Sequence, residues 1–139
     1  MNKNILTAFA VMISLTVIIW SGCNKDDGPE IEEFIIQIDS MVHPDTINFG
    51  EDLSIKFYGV VGPNGCYAFD EFVVEYFIEA NELAVESWGI HTFNDVCTDA
   101  EVYMNGRELL VSEIPAGDLI IVAVQPDGTN ISQNVYIRE

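Results

Sequence analysis

The chain has 139 residues, with 23 acidic side chains against 5 basic ones and a formal net charge of −18. That balance argues against nucleic acid and other polyanions as partners, and leaves cationic proteins, divalent cations and neutral glycans. A hydrophobic share of 49% is enough for a packed core in one domain of ordinary size.

The first segment is apolar from Ile5 to Trp20, broken only by small or hydroxyl residues, with Lys3 ahead of it. A charged start, an apolar run and small residues before a cleavage point make a secretory signal. The run falls short of the roughly 20 apolar residues that a permanent membrane-crossing helix needs. Ser21 and Gly22 fit the narrow subsites of a peptidase, and Cys23 supplies a thiol that can carry a lipid.

Trp20-Ser21-Gly22-Cys23 resembles the lipobox of bacterial lipoproteins, which implies cleavage before Cys23 and fatty acylation of that residue. Cys23-Asn24-Lys25-Asp26-Asp27 is similar to the export signal of surface lipoproteins in the Bacteroidota. That likeness implies that Lys25, Asp26 and Asp27 direct the protein to the extracellular face of the outer membrane. The alternative is that these three residues simply open a solvated linker. The expected division is a signal peptide over residues 1–22, a lipidated Cys and flexible acidic tether over 23–30, and one domain over 31–139. The first partner is then the membrane, reached through a lipid anchor that gains about 0.8 kcal/mol per buried methylene. All 23 acidic residues lie after Cys23, facing Lys25, Lys56, Arg107 and Arg138, a composition that also keeps an exported domain soluble.

From Glu33 the pattern has period two. Phe34, Ile36 and Ile38 alternate with Glu33, Gln37 and Asp39, which predicts a half-buried strand. His43-Pro44-Asp45 bends the chain, because proline fixes its own φ and restricts the residue before it. Leu53, Ile55, Phe57 and Gly59 alternate with polar neighbours in a second strand, and Gly62-Pro63-Asn64-Gly65 is a turn. Strands follow over 72–78 and 83–88, with Asn81 turning the chain between them. The stretch 91–105 reads as irregular, and Asn105-Gly106 as a hairpin turn. Leu109 to Val111, Leu119 to Val124 and Val135 to Ile137 complete the set, separated by turns at Ile114-Pro115-Ala116-Gly117 and Gln125-Pro126-Asp127-Gly128.

Sustained helical periodicity is missing after residue 30, and short strands with frequent turns predict an all-β fold. Ile114-Pro115-Ala116-Gly117-Asp118-Leu119, leading into the penultimate strand, resembles the closing strands of immunoglobulin-like bacterial modules. The fold class expected is an immunoglobulin-like β-sandwich, with an open barrel as the competing architecture.

With Cys23 acylated, Cys66 and Cys97 remain, and an even pair in an exported protein reads as a disulfide. A blue-copper or zinc site is disfavoured, because His43, His91, Cys97 and Met104 do not have the spacing such metals need. No metal or other cofactor is expected. The acidic loop with Asn94, Asp95, Asp99 and Glu101 lacks the spacing of a calcium-binding EF-hand. Two histidines and no Gly-x-Ser-x-Gly elbow give no nucleophile, base and orienting group, so an enzyme is not expected.

Phe69, Phe72, Tyr76, Phe77, Trp88 and Phe93 read as core, with Trp88 the one whose ring has ligand contact as its alternative. Tyr67 and Tyr103 are further ligand-contact candidates, since a tyrosine offers an apolar ring with a polar tip. Asp39-Ser40-Met41 and Asp45-Thr46-Ile47 resemble O-glycosylation sites of exported Bacteroidota proteins, which implies sugars on Ser40 and Thr46. Gly65-Cys66-Tyr67 and Cys97-Thr98 are similar to a pattern in short uncharacterised lipoproteins of the same group. The function expected is a non-catalytic binding or accessory module, with a glycan or protein ligand. The alternatives are an acidic inhibitor of a cationic enzyme such as lysozyme, and a purely structural envelope lipoprotein.

Overall fold

The computed structural model describes residues 28–93 and 96–139. The segment read as a secretory signal lies outside them, together with Cys23, Lys25, Asp26 and Asp27, as do Asn94 and Asp95. Within them the chain is all-β, with eleven strands and no helix. In order these are β1 (Ile31–Ile35), β2 (Ser40–Val42), β3 (Thr46–Asn48), β4 (Leu53–Tyr58), β5 (Val60–Gly62), β6 (Tyr67–Phe77), β7 (Glu82–Thr92), β8 (Val102–Tyr103), β9 (Arg107–Val111), β10 (Gly117–Ala123) and β11 (Ile131–Arg138).

A large sheet has the order β1-β7-β10-β11-β3, with β6 on the other side of β7. A small sheet has the order β2-β4-β9, and β5 pairs with β8 in a short ribbon. Most pairings are antiparallel, but β10 runs parallel to β7 and β11 parallel to β3. β7 is shared along its length: Glu82–Val85 meets β10, and Trp88–Thr92 meets β1 on the same side.

The period-two pattern explains how the sheets close on each other. Leu53, Ile55 and Phe57 of β4 are fully buried, as are Leu119 and Ile121 of β10 and Val135 and Ile137 of β11. These join Ile36, Ile38, Leu83 and Val85 in one apolar cluster. Each such side chain stabilises the fold by roughly 1.5–3 kcal/mol when removed from water. One cluster between the inner faces of two sheets makes the arrangement a sandwich, and both sheets keep free edges, unlike a barrel.

The first strands cross between layers twice. β1 pairs in the large sheet, β2 in the small sheet, and β3 in the large sheet again. The predicted strand over 33–39 therefore stops at Ile35, although Ile36 and Ile38 keep their inward alternation. At the crossing the Gln125 side chain takes the place of a partner strand. Its Oε1 accepts from the Ile38 N–H at 3.0 Å, and its Nε2 donates to the Ile38 carbonyl at 3.2 Å. The bend expected at His43-Pro44-Asp45 lies between β2 and β3, where the second crossing is made.

Asn105-Gly106 does not form a hairpin. β8 and β9 run along one line opposite β5 and β4, and both residues of the dipeptide have positive φ, 44° and 80°, inside that line. The Met104 N–H donates to the Gly59 carbonyl and the Gly106 N–H to the Phe57 carbonyl, so the dipeptide is an irregularity in a continuing ladder. The stretch read as irregular is also partly ordered: β7 continues to Thr92 and β8 lies at Val102–Tyr103.

Candidate binding surface

Alternation along β7 divides its side chains between the two faces of the large sheet. Leu83, Val85, Ser87 and Gly89 are buried, so Glu82, Ala84, Glu86, Trp88 and Ile90 face outwards. Trp88 is therefore not in the sandwich core. It is half-buried on the outer face beside its register partner Ile35, and its Nε1–H donates to Glu86 Oε2 at 2.9 Å. Phe77 and Phe93 also depart from the core reading, at 42% and 47% exposure, whereas Phe69, Phe72 and Tyr76 pack against the core.

Register fixes the rest of this face, towards the Glu82 end of β7. Phe77 lies opposite Glu82 and Ile120, Glu75 opposite Ala84 and Val122, and Val73 opposite Glu86. The twisted surface forms a depression of about 360 Å³, lined among others by Val73, Phe77 and Val122 with the carboxylates of Glu75, Glu82 and Glu86. Apolar side chains placed among carboxylates suit a ligand that has apolar body and positive charge together.

The other ligand-contact candidates lie elsewhere. Tyr67 belongs to the inner face, opposite His91. Its ring stacks on the His91 ring with centroids 4.2 Å apart, and meets Phe34 edge-on at 5.8 Å. A Cβ added at Gly62 would come within 2.1 Å of the Tyr67 ring, so a glycine is needed where the ring lies on the backbone. Tyr67 is a packing residue at the end of the sandwich. Tyr103 is 55% exposed and lines a different depression with Tyr58 and Asn105. Its hydroxyl donates to the Glu101 carboxylate, which holds the phenol pKa above its ordinary value. The three aromatic candidates thus occupy three surfaces rather than one site.

The disulfide joins Cys66 to Cys97, with Cα atoms 5.4 Å apart. It ties the turn after Gly65 to the loop before Thr98, and the Gly65 N–H donates to the Thr98 carbonyl beside it at 2.9 Å. Ser40 and Thr46 are exposed at the first residues of β2 and β3. Those two strands are the edges of their sheets on one side of the sandwich.

The two histidines do not converge: His43 Nδ1 lies 3.0 Å from the Pro44 carbonyl oxygen, whereas His91 lies between Tyr67 and Phe93. Among the described residues no group of three or more His, Cys, Asp or Glu side chains is placed to hold a metal ion. The outer-face depression had no motif to reveal it. Its signal was the interleaving of Glu82, Glu86 and Trp88 with the inward row of β7. Comparison with protein-family models, with curated proteins and with solved structures finds no match to this chain.

Proposed function

We propose that this chain is a lipid-anchored, non-catalytic binding module on the extracellular face of a bacterial outer membrane. The outer face of the large sheet carries its ligand contact. The observation behind this reading is the outer-face placement of Trp88, bonded to Glu86, and of Phe77, which shares a depression with Glu75, Glu82 and Glu86. An aromatic ring left half in water on a regular sheet offers apolar area together with a polar N–H for recognition. The separation of His43 from His91 supports the non-catalytic part, and the likeness of residues 20–27 to a lipobox and export signal supports the anchor.

The three carboxylates around the depression favour a second reading, an inhibitor of a cationic enzyme such as lysozyme. Two assays on the same protein divide these readings. A glycan array tests a neutral ligand, and lysozyme binding at low and high salt tests a cationic one, because screening weakens charge-steered association. Trp88→Ala is expected to abolish whichever of these two bindings is seen. Glycan or lysozyme binding that ignores Trp88→Ala removes the outer face from the account, and the absence of both leaves the structural reading.

A further inference from the structure

The side of the sandwich bounded by β6 and β9 is unfinished. β6 is the outermost strand of the large sheet there, and β9 of the small sheet. The Arg107 guanidinium lies 4.2 Å over the Phe69 ring, which brings the two edges together at one end. Beyond that contact they part around a cleft of about 260 Å³, lined by Val74, Tyr76, Leu83, Val111, Ile114 and Leu119 among others. Val74 belongs to the inward row, yet it is 40% exposed, whereas Leu83 and Val85 of the neighbouring strand are 3% and 1% exposed. A core-facing side chain is bare because nothing in the described fold lies beyond β6.

Backbone bonding shows which groups that edge leaves free. The Ile120 N–H donates to the Asn81 carbonyl and the Val124 N–H to the Val85 carbonyl, so the odd-numbered positions of β7 in this half bond towards β10. Glu82, Ala84 and Glu86 therefore bond towards β6, where they meet Phe77, Glu75 and Val73. The N–H and C=O groups of Phe72, Val74 and Tyr76 consequently point out of the sheet. Such a row is a template for another strand.

Geometry and charge together define the occupant. A strand laid along β6 turns alternate side chains into the apolar cleft, and the others outwards beside Glu75. Asp70, Glu71, Glu75 and Glu113 lie exposed along this side, while its cation Arg107 is engaged on Phe69. A second copy of this chain would set two bodies of net charge −18 against each other.

We propose that the β6 edge captures an extended segment of a partner protein in which apolar residues alternate with lysine or arginine. Its apolar residues enter the cleft and its basic residues pair with Glu75. This rests on the reading of the chain as a binding module, and names the chemistry of the partner at an edge separate from Trp88.

The test uses the full chain extracted in detergent and a short synthetic peptide of alternating lysine and valine, with binding read by fluorescence anisotropy. A peptide of alternating glutamate and valine is the comparison, expected to bind at least about tenfold more weakly. Val74→Pro removes a free edge donor without touching the β6–β7 ladder, and is expected to weaken the lysine peptide by about tenfold or more. Glu75→Lys is an exposed change that leaves the fold intact, and is expected to reverse the preference between the peptides. No binding of the lysine peptide, unchanged binding by both variants, or a preference of the unaltered chain for glutamate overturns the proposal. A dimer in sedimentation that Val74→Pro dissolves also overturns it, since the occupant is then a second copy. Trp88→Ala keeps the two readings apart: the peptide is expected to bind that variant unchanged, and a failed peptide leaves the outer-face assays standing.

Discussion

Replacing Gln125 by leucine isolates what one buried amide does for this fold. Gln125 is 5% exposed and Ile38 is 2% exposed, so their two mutual hydrogen bonds are shielded from water. Leucine keeps most of the volume and removes both bonds, leaving the Ile38 N–H and C=O buried and unpaired. Each orphaned group costs about 1–3 kcal/mol, and the greater burial of apolar surface by leucine offsets part of that. The expected net loss is about 2–4 kcal/mol, a large fraction of the 5–15 kcal/mol that holds a typical domain together. Urea unfolding reads it directly: with a slope of about 2 kcal/mol per molar, the midpoint falls by roughly 1–2 M at unchanged slope. Gln125→Ala, which also leaves a cavity, is expected to fall further. A loss under about 1 kcal/mol for Gln125→Leu would refute the idea that this amide stands in for a strand where the chain crosses between sheets.

Removing the disulfide with Cys66→Ala and Cys97→Ala together reopens a connection spanning 31 residues, and is expected to cost roughly 3–4 kcal/mol in the same assay. Asp127 accepts from the Thr129 hydroxyl at 2.6 Å and the Thr129 N–H at 2.9 Å, which holds its carboxyl below the ordinary aspartate value. A pKa depressed by folding means that the stability from this turn is present above the unfolded-state pKa and lost as pH falls through the folded one. Thr129→Ala is therefore expected to move the Asp127 midpoint upwards in a carbon-detected NMR titration, and an unmoved midpoint would remove the hydroxyl from the explanation. Ser40→Ala with Thr46→Ala is expected to lower the mass of the exported protein by its attached sugars; an unchanged mass beyond the two substitutions denies glycosylation at both.

The inward rows were legible because burial imposes its period on the sequence: Leu53, Ile55 and Phe57 could be assigned to one face before any coordinates. The Cys66–Cys97 link was legible because setting Cys23 aside for acylation left two of the three cysteines. Positions set by distant partners were hidden. Asn105-Gly106 has the φ values of a hairpin turn, but whether the flanking strands pair with each other or with β4 and β5 is decided far away in the chain. Trp88 read as core, with ligand contact as its alternative, because Ser87 and Gly89 beside it are small and give no alternation that assigns the ring to a face. Gln125 looked like part of a turn, since nothing local announces that Ile38 needs a partner. The β6 edge could not be foreseen either, because which strand ends outermost depends on the pairing order of the whole sheet.

The location proposed for the protein underlies its functional reading, and mass spectrometry of the chain extracted from bacterial envelopes tests it most directly. The account predicts a first residue of Cys23 carrying fatty acyl groups, with Cys66 and Cys97 linked to each other. A chain that keeps Met1 and an unmodified Cys23 thiol would contradict it.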